Sequence, residues 1–369
     1  MPIPSTAVPP AAVTVPPADR ALARNRALIR WWLYGICLLI LAMVVVGGAT
    51  RLTESGLSIT EWKPIHGMIP PLNEAEWQEE FDKYRQIPQY QLINKGMSMD
   101  EFKFIFWWEW AHRQLGRFIG IAYFVPLALF WLQGRVEPWL KPRLVLGLFL
   151  GGLQGAVGWW MVASGLVERT DVSQYRLAVH LTLACVIFAY LFWLARRLVP
   201  ARRTAPDADR ASTPFAKAVL ALVLVQIFLG GLVAGLNAGL TFNTWPLMDG
   251  QIVPAGLLAM EPAWKNFFEN VMTVQFQHRV AAYVLVAAVL VFAWSVLTRS
   301  AHAPLRGAAM ALGGLVLAQL VLGILTLLAQ VPLDLALLHQ ATAVLVLGAA
   351  VEVLVVLKGP VPGGAAAAG

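Results

Sequence analysis

Four of the six histidines in this 369-residue sequence begin apolar stretches, where an imidazole is suited to bind a metal. They are His112, His180, His278 and His339. A single histidine at the start of a helix is more often an interfacial polar residue, but ionisable groups within membrane spans are costly and usually functional. Two neutral imidazoles from different helices can bind a haem iron from its two faces. We therefore predict two bis-histidine haem sites, and zinc is the weaker alternative because it usually takes a third or fourth ligand nearby.

A carboxylate accompanies only one of these histidine pairs. Glu109 lies three residues before His112, so the two side chains share a face if the helix extends outward by one turn. The matching residue before His278 is Gln275, which is neutral. A carboxylate that stabilises a developing positive charge or handles protons indicates chemistry at that site. The alternative is a helix-start charge at the water boundary.

Two arginines and the other two histidines are further candidates. Arg113 and Arg279 directly follow His112 and His278. They are predicted partners for haem propionates, with interfacial anchoring as the alternative. His66 and His302 lie between apolar stretches, and we expect both to be solvated polar residues.

The composition indicates a membrane protein that positions these residues on helices. The sequence is 58% hydrophobic and 13% charged, with a mean hydropathy of +0.64. A helix needs about 20 apolar residues to cross a bilayer. Eight stretches meet this requirement, near residues 31–50, 112–132, 144–163, 177–195, 215–236, 278–297, 308–328 and 335–357. The sequence therefore predicts an all-α integral membrane protein with eight transmembrane helices.

The charges predict the orientation of these helices. The net charge of +7 comes from basic residues beside the spans, so membrane topology explains it and no nucleic-acid partner is expected. Basic residues cluster before the first span and after every second span, whereas residues 51–109 carry 6 Lys or Arg against 10 Asp or Glu. We predict that both termini are cytoplasmic. The four histidines begin spans two, four, six and eight, so they should share a depth near the periplasmic face.

An internal repeat divides the chain into two halves. Residues 47–71 align with residues 230–254 at 8 identical positions of 25, and the segments around all four histidines also align between halves. Because each half has four spans, the repeats are parallel, and we predict two four-helix bundles related by a pseudo-twofold axis. The predicted segments are a disordered cytoplasmic tail (residues 1–30), the first half (31–197), a cytoplasmic linker (198–214), the second half (215–358) and a second disordered tail (359–369).

Small residues and cysteines within the spans are predicted to serve packing. The spacings Gly151–Gly155, Gln226–Gly230 and Gly231–Gly235 let helices approach closely. Cys37 and Cys185 lie inside different apolar stretches, with no CxxC pair or disulfide framework. Trp62 and Trp245, which align in the repeat, are predicted to be interfacial anchors or lids over the haem edges.

Several long segments resemble one known family. From about Arg30 to Lys358 the sequence resembles haem A synthase, in the branch shared by alpha-proteobacteria and mitochondria. The segments are RLTESGLSITEWKPIHGMIPP, FWWEWAHRQLGR, GLNAGLTFNTWPLMDG and QFQHR. The resemblance implies a bacterial inner-membrane enzyme that oxidises the C8 methyl group of haem O to the formyl group of haem A, for terminal cytochrome oxidases. Two hydroxylations are implied, followed by loss of water.

The resemblance also implies roles for individual residues. His112 and His180, in residues 31–197, would bind the substrate haem, and His278 and His339, in residues 215–358, would bind a resident haem b. Glu109 matches the family's essential carboxylate. Haem O synthase is a candidate partner beside membrane lipid, and a homo-oligomer is one option. The electron-transfer partner and the source of oxygen stay open.

Two other functions use the same features. A di-haem b electron-transfer cytochrome linked to quinol would need the four histidines without modifying either haem. A transporter with parallel repeats would need polar groups near mid-membrane, and the spans contain few. Haem analysis separates the first alternative from the enzyme.

Overall fold

The computed structural model describes residues 16–63, 66–199 and 205–358, and its regular structure there is helical. The α-helices, in chain order, are α1 Pro17–Leu52, α2 Glu74–Tyr84, α3 Pro88–Leu92, α4 Met99–Leu132, α5 Lys141–Val162, α6 Gln174–Arg197, α7 Asp207–Arg210, α8 Thr213–Gly235, α9 Asn266–Glu269, α10 Val271–Arg299, α11 Ala303–Leu328 and α12 Leu333–Lys358. Eight of these described helices are long and apolar enough to cross a membrane, namely α1, α4, α5, α6, α8, α10, α11 and α12. The predicted span count is confirmed.

The helices that carry Glu109 and Gln275 begin well outside the predicted apolar stretches. Ser98 caps α4, accepting from the backbone N–H of Glu101, whose carboxylate accepts from the Ser98 N–H in return. Asn270 caps α10 by accepting from two backbone N–H groups of the first turn. Because α4 continues without a break from Met99 past His112, Glu109 and His112 lie on one helix, as the sequence argument requires.

The loop between α1 and α4, residues 53–98, is the first outer loop of the predicted topology, and it folds into a small apolar cluster over the start of α4. Trp77, Phe81 and Tyr84 of α2 pack on Phe102 and Phe106 of α4. The rings form stacked, tilted and edge-to-face pairs with centroids 4.8–5.4 Å apart. This cluster fixes the outer loop relative to the helix that carries the functional residues.

The two halves meet along α1, α6, α8 and α12, and the same helix pairs are in contact in each half. A Cβ atom on Gly231 or Gly235 of α8 would lie 2.8 Å or 2.6 Å from a Cα atom of α6, so these glycines permit close packing between the halves. At the carboxyl end of α6, Arg196 donates two hydrogen bonds of 2.5 Å to the carboxylate of Glu352 on α12. The pseudo-twofold relation of the halves stays a prediction.

Parts of the predicted segmentation need correction. Residues 17–30, predicted as disordered, are the first turns of α1, and Pro at the helix start supports them because its fixed φ suits this position. Residues 1–15 and the predicted tail 359–369 lie outside the described residues. The linker 198–214, described apart from residues 200–204, contains the short helix α7.

The predictions for small residues and cysteines were partly right. Cys37 and Cys185 are buried in the main apolar core, which confirms packing. Gly231–Gly235 packs as predicted, whereas a Cβ on Gly151 or Gly155 would meet no atom within 4 Å, so the prediction of packing there was wrong. Gly230 lies against the ring of His278, so its role is not helix packing alone.

Candidate haem sites

Each of the four histidine rings lies against a glycine on the preceding transmembrane helix. A Cβ atom on any of these glycines would come within 3.3 Å of a histidine Cε1 atom, which is closer than an ordinary van der Waals contact. The pairs are Gly47 with His112 at 2.8 Å, Gly158 with His180 at 2.9 Å, Gly230 with His278 at 3.3 Å, and Gly323 with His339 at 2.9 Å. At Gly47, Gly158 and Gly323 only glycine therefore leaves room for the rings in their present positions, whereas a Cβ on Gly230 would require the ring of His278 to shift by a few tenths of an ångström.

A glutamine also contacts three of the four histidines, four residues before the glycine in each case. The amide nitrogen of Gln154 lies 3.2 Å from Nδ1 of His180 and donates to the backbone oxygen of the same residue at 3.1 Å. Gln226 makes the same two contacts to His278, both at 3.1 Å. Gln319 lies 3.4 Å from Nε2 of His339.

These glutamines and glycines are the functional residues that sequence reasoning missed. The spacing Q-x-x-x-G was noticed but interpreted as helix packing. The informative signal was that the spacing recurs on the helix before a histidine-bearing helix, at residues 154–158, 226–230 and 319–323. In a four-helix half, such a recurrence indicates support for the histidine side chain.

Glu109 is buried and its carboxylate ties the outer loop to α4. Its Oε2 accepts from the Ser58 hydroxyl at 2.8 Å and from the Ile59 N–H at 2.7 Å. Its Oε1 accepts two hydrogen bonds from Arg113, of 2.6 and 3.1 Å. Arg113 in turn donates to the backbone oxygens of Ile59 and Glu61. The carboxylate is thus held in one orientation by four donors.

The second half repeats this arrangement with a neutral residue. Gln275 is buried, and its oxygen accepts from Arg279 at 2.9 Å. Its amide nitrogen donates to the backbone oxygens of Ala238 and Thr241. Gln275 donates to its loop, whereas Glu109 accepts from its loop. The loop of each half therefore presents the hydrogen-bonding groups that suit the residue of that half.

The two arginines bind the loops in equivalent ways. Arg279 donates to the backbone oxygens of Phe242 and Thr244, which align in the repeat with the Ile59 and Glu61 that Arg113 contacts. Each arginine therefore binds two backbone oxygens of its loop and one side chain, which is Glu109 for Arg113 and Gln275 for Arg279. The predicted pairing with haem propionates stays a prediction, and Nε of Arg279 is a buried donor without a partner among the described residues.

The remaining candidates differ in their surroundings. His66 lies exposed in a short 3₁₀ turn of the outer loop, as expected for a solvated residue. His302 is only half-buried at the start of α11, and its Nε2 is buried, so full solvation was wrong for this residue. Trp62 packs on Trp159, the neighbour of Gly158, with ring centroids 5.2 Å apart.

The donor set fits haem in both halves. Each half brings two imidazoles from different helices, and Nδ1 of His112 and of His339 is buried without a hydrogen-bond partner among the described residues. The glycine opposite each ring leaves the imidazole edge free of side-chain bulk. In the part of the chain that the structure describes, no group of three His, Cys, Asp or Glu side chains gathers as a zinc site would require.

The fold and these positions define a helical, multi-pass membrane protein whose two halves each present a pair of histidines. The chain belongs to the cytochrome oxidase assembly protein family, COX15-CtaA, whose model matches residues 30–351. It is 58% identical over 334 residues to the Heme A synthase of Mesorhizobium japonicum, covering 89% of this chain and 90% of that protein. It is 59% identical over 331 residues to the Heme A synthase of Brucella anthropi, covering 89% and 91%.

Proposed function

We propose that this protein is a membrane haem-modifying oxidoreductase, a haem A synthase that converts the C8 methyl group of haem O to a formyl group. The carrying observation is that relatives of this name share 58–59% of residues with it over about nine-tenths of both chains. The family's place in cytochrome oxidase assembly agrees with a product that terminal oxidases require. The buried carboxylate in only one of two equivalent positions also suits an enzyme better than a symmetric electron carrier.

We assign the substrate haem to the first half and a resident haem b to the second. His112 and His180 would hold the iron of haem O, and His278 and His339 the iron of haem b. The resident haem would supply one-electron redox chemistry. Glu109 beside His112 supports this division, because only the first half then has a carboxylate next to its haem.

Differences in side-chain size between the halves support the same division. A Cβ on Gly120 of α4 or Gly151 of α5 would meet no atom within 4 Å. The matching residues of the second half are Val286 and Val316, and Val316 is buried in the core. Haem O differs from haem b by a long isoprenoid chain, so the half that accepts it needs more apolar space.

Glu109 would act as a fixed negative charge beside the reacting edge of the ring. Its four donors hold both oxygens in place, so no reorganisation is needed when positive charge develops on the substrate. Arg113 and the loop from Ser58 to Glu61 close the outer side of this site. Two hydroxylations of the methyl carbon followed by loss of water from the geminal diol give the aldehyde. The methyl carbon loses four electrons in all, and these must pass to dioxygen or to an electron acceptor outside this chain.

We place the protein in the bacterial inner membrane with its histidines near the periplasmic face. The loop charges support this orientation, and they place both termini in the cytoplasm. Haem O synthase is the natural neighbour because it supplies the substrate. Reporter fusions after Arg135 should read cytoplasmic and fusions near Gly256 periplasmic. A reversal at either position would contradict the common depth of the four histidines.

The decisive experiment is haem analysis of the purified protein with and without co-expressed haem O synthase. We expect haem b alone without the synthase, and haem b together with haem O and haem A with it. A di-haem electron-transfer cytochrome would contain haem b under both conditions and would form no haem A. That result would overturn the proposed function.

A further inference from the structure

The four histidine positions differ in one neighbouring residue. The glycine that faces each histidine is preceded, four residues earlier, by Gln154, Gln226 or Gln319 in three cases. In the fourth case, opposite His112, the residue is Met43. The repeat places Met43 in the position that Gln226 occupies in the second half.

The glutamines restrain their histidines directly. Gln154 and Gln226 each donate to the backbone oxygen of the histidine and lie within 3.4 Å of both its ring nitrogens. Each amide therefore connects one helix to the backbone and to the ring of the residue on the next helix. Groups that hold a ligating imidazole in this way affect how firmly the ligand binds its metal.

Met43 offers no such restraint to His112. A thioether has no N–H group, and Met43 directs its methyl group to α4 one turn beyond the histidine, 3.4 Å from the position of a Cβ on Gly116. Nδ1 of His112 is buried and has no hydrogen-bond partner among the described residues. Nδ1 of His339 is in the same state, but Gln319 lies 3.4 Å from the Nε2 atom of His339. His112 is consequently held by packing against Gly47 and by the helix that carries it.

We propose that this difference makes His112 the exchangeable ligand, so that the substrate haem binds and leaves through the His112 side, whereas His278 and His339, which both have a glutamine neighbour, retain the resident haem. The inference rests on the proposed function, because only a haem-modifying enzyme must release one haem and keep the other. His180, which Gln154 restrains, would remain the firmer ligand of the substrate haem. Met43 is then a positioning residue: because its side chain cannot donate a hydrogen bond, it leaves the ring of His112 without the restraint that a glutamine would provide.

The test compares haem loss from four purified proteins made with co-expressed haem O synthase: wild type, Met43→Gln, Met43→Leu and Gln226→Met. Excess apomyoglobin serves as haem acceptor, and the haems left on each protein are extracted over time and separated by chromatography. The combined amount of haem O and haem A measures retention by the first half, and the amount of haem b measures retention by the second half. Absorption spectra of the reduced proteins check that the remaining haems keep two axial ligands.

Met43→Gln should slow the loss of haem O and haem A by about 2- to 10-fold, the range for one added hydrogen bond, and leave haem b loss unchanged. Gln226→Met should speed the loss of haem b by a similar factor. Met43→Leu should behave as wild type.

Loss of haem O and haem A from Met43→Gln at the wild-type rate would overturn the proposal. If Met43→Gln does not fold, Gln226→Met decides, and wild-type retention of haem b in that variant would overturn it. Wild-type protein that binds neither haem O nor haem A would instead contradict the proposed function, so the two failures are distinguishable.

Discussion

Replacing Glu109 by glutamine copies the residue of the second half and removes the charge with little change in size. The structure shows that this change is not neutral for the local fold. The Oε2 atom accepts from the Ser58 hydroxyl and the Ile59 N–H, and an amide nitrogen there would face two donors. The hydroxyl can reverse its role, but the backbone N–H cannot.

The free-energy cost of Glu109→Gln has two sources: the Ile59 N–H loses its acceptor, and Arg113 loses a neighbouring negative charge. A buried N–H left without an acceptor costs about 1–3 kcal/mol. Arg113 keeps an oxygen acceptor at position 109 and its two backbone oxygens in the loop. A typical protein is stable by about 5–15 kcal/mol, so we expect Glu109→Gln to fold and keep both histidine pairs.

We expect the variant to bind haem O but to form little or no haem A, because the fixed negative charge is missing. The assay is chromatography of haems extracted from cells that express each variant at the wild-type level. Ser58→Ala is the matched control, since it removes one hydrogen bond from the same carboxylate oxygen and keeps the charge. It should still form haem A, and accumulation of the singly hydroxylated haem in Glu109→Gln would assign the charge to the second oxidation.

Two outcomes would refute this reasoning. Normal haem A formation by Glu109→Gln would reduce the carboxylate to a loop anchor. Equal loss of haem A in Ser58→Ala and Glu109→Gln would show that anchoring of the loop, rather than charge, limits the reaction.

The other predictions concern ligands, glycines and the contact between the halves. His278→Ala should deplete haem b, whereas His112→Ala should mainly disturb the substrate haem; spectra that show equal haem b loss in both would contradict the assigned division. Gly158→Ala places a Cβ 2.9 Å from a histidine ring and should reduce haem O content, while Gly314→Ala, where a Cβ meets nothing within 4 Å, should retain both haems in the same pigment analysis. Arg196→Met removes two charge-assisted hydrogen bonds between the halves, worth about 1.5–3 kcal/mol each, and should lower the unfolding temperature of the purified protein without changing its haem content. An unchanged unfolding temperature would show that the ion pair contributes no net stability.

The sequence predicted the number and type of helices because hydrophobic length is a direct requirement of the bilayer. It was less accurate at their ends: α1 begins at Pro17 although hydropathy places the span start near residue 31. Polar residues such as Arg20 and Arg24 permit a helix to continue into water, and no change of hydropathy marks its first residue. The outer helix α2 was not predicted for a related reason, since its apolar face consists of three separated aromatic residues.

The candidate site likewise has features that the sequence predicted and features that it did not. Glu109, His112 and the repeat were readable from residue types and spacing, because i and i+3 side chains share a helix face and because repeated spans repeat their sites. The partners of Arg113 could not be predicted, since a guanidinium can donate to a propionate or to a backbone oxygen.

The sequence alone determined that this chain has eight membrane spans, an internal repeat, four histidines at repeat-related positions and one carboxylate without a counterpart, because each of these depends on local composition or on comparison of the chain with itself. Only the tertiary structure decided which side chains surround each histidine. Contacts such as Gln154 with His180 join different helices, and the rotation of one helix against its neighbour sets them. Helix rotation depends on packing over the whole bundle, which no spacing within a single span encodes.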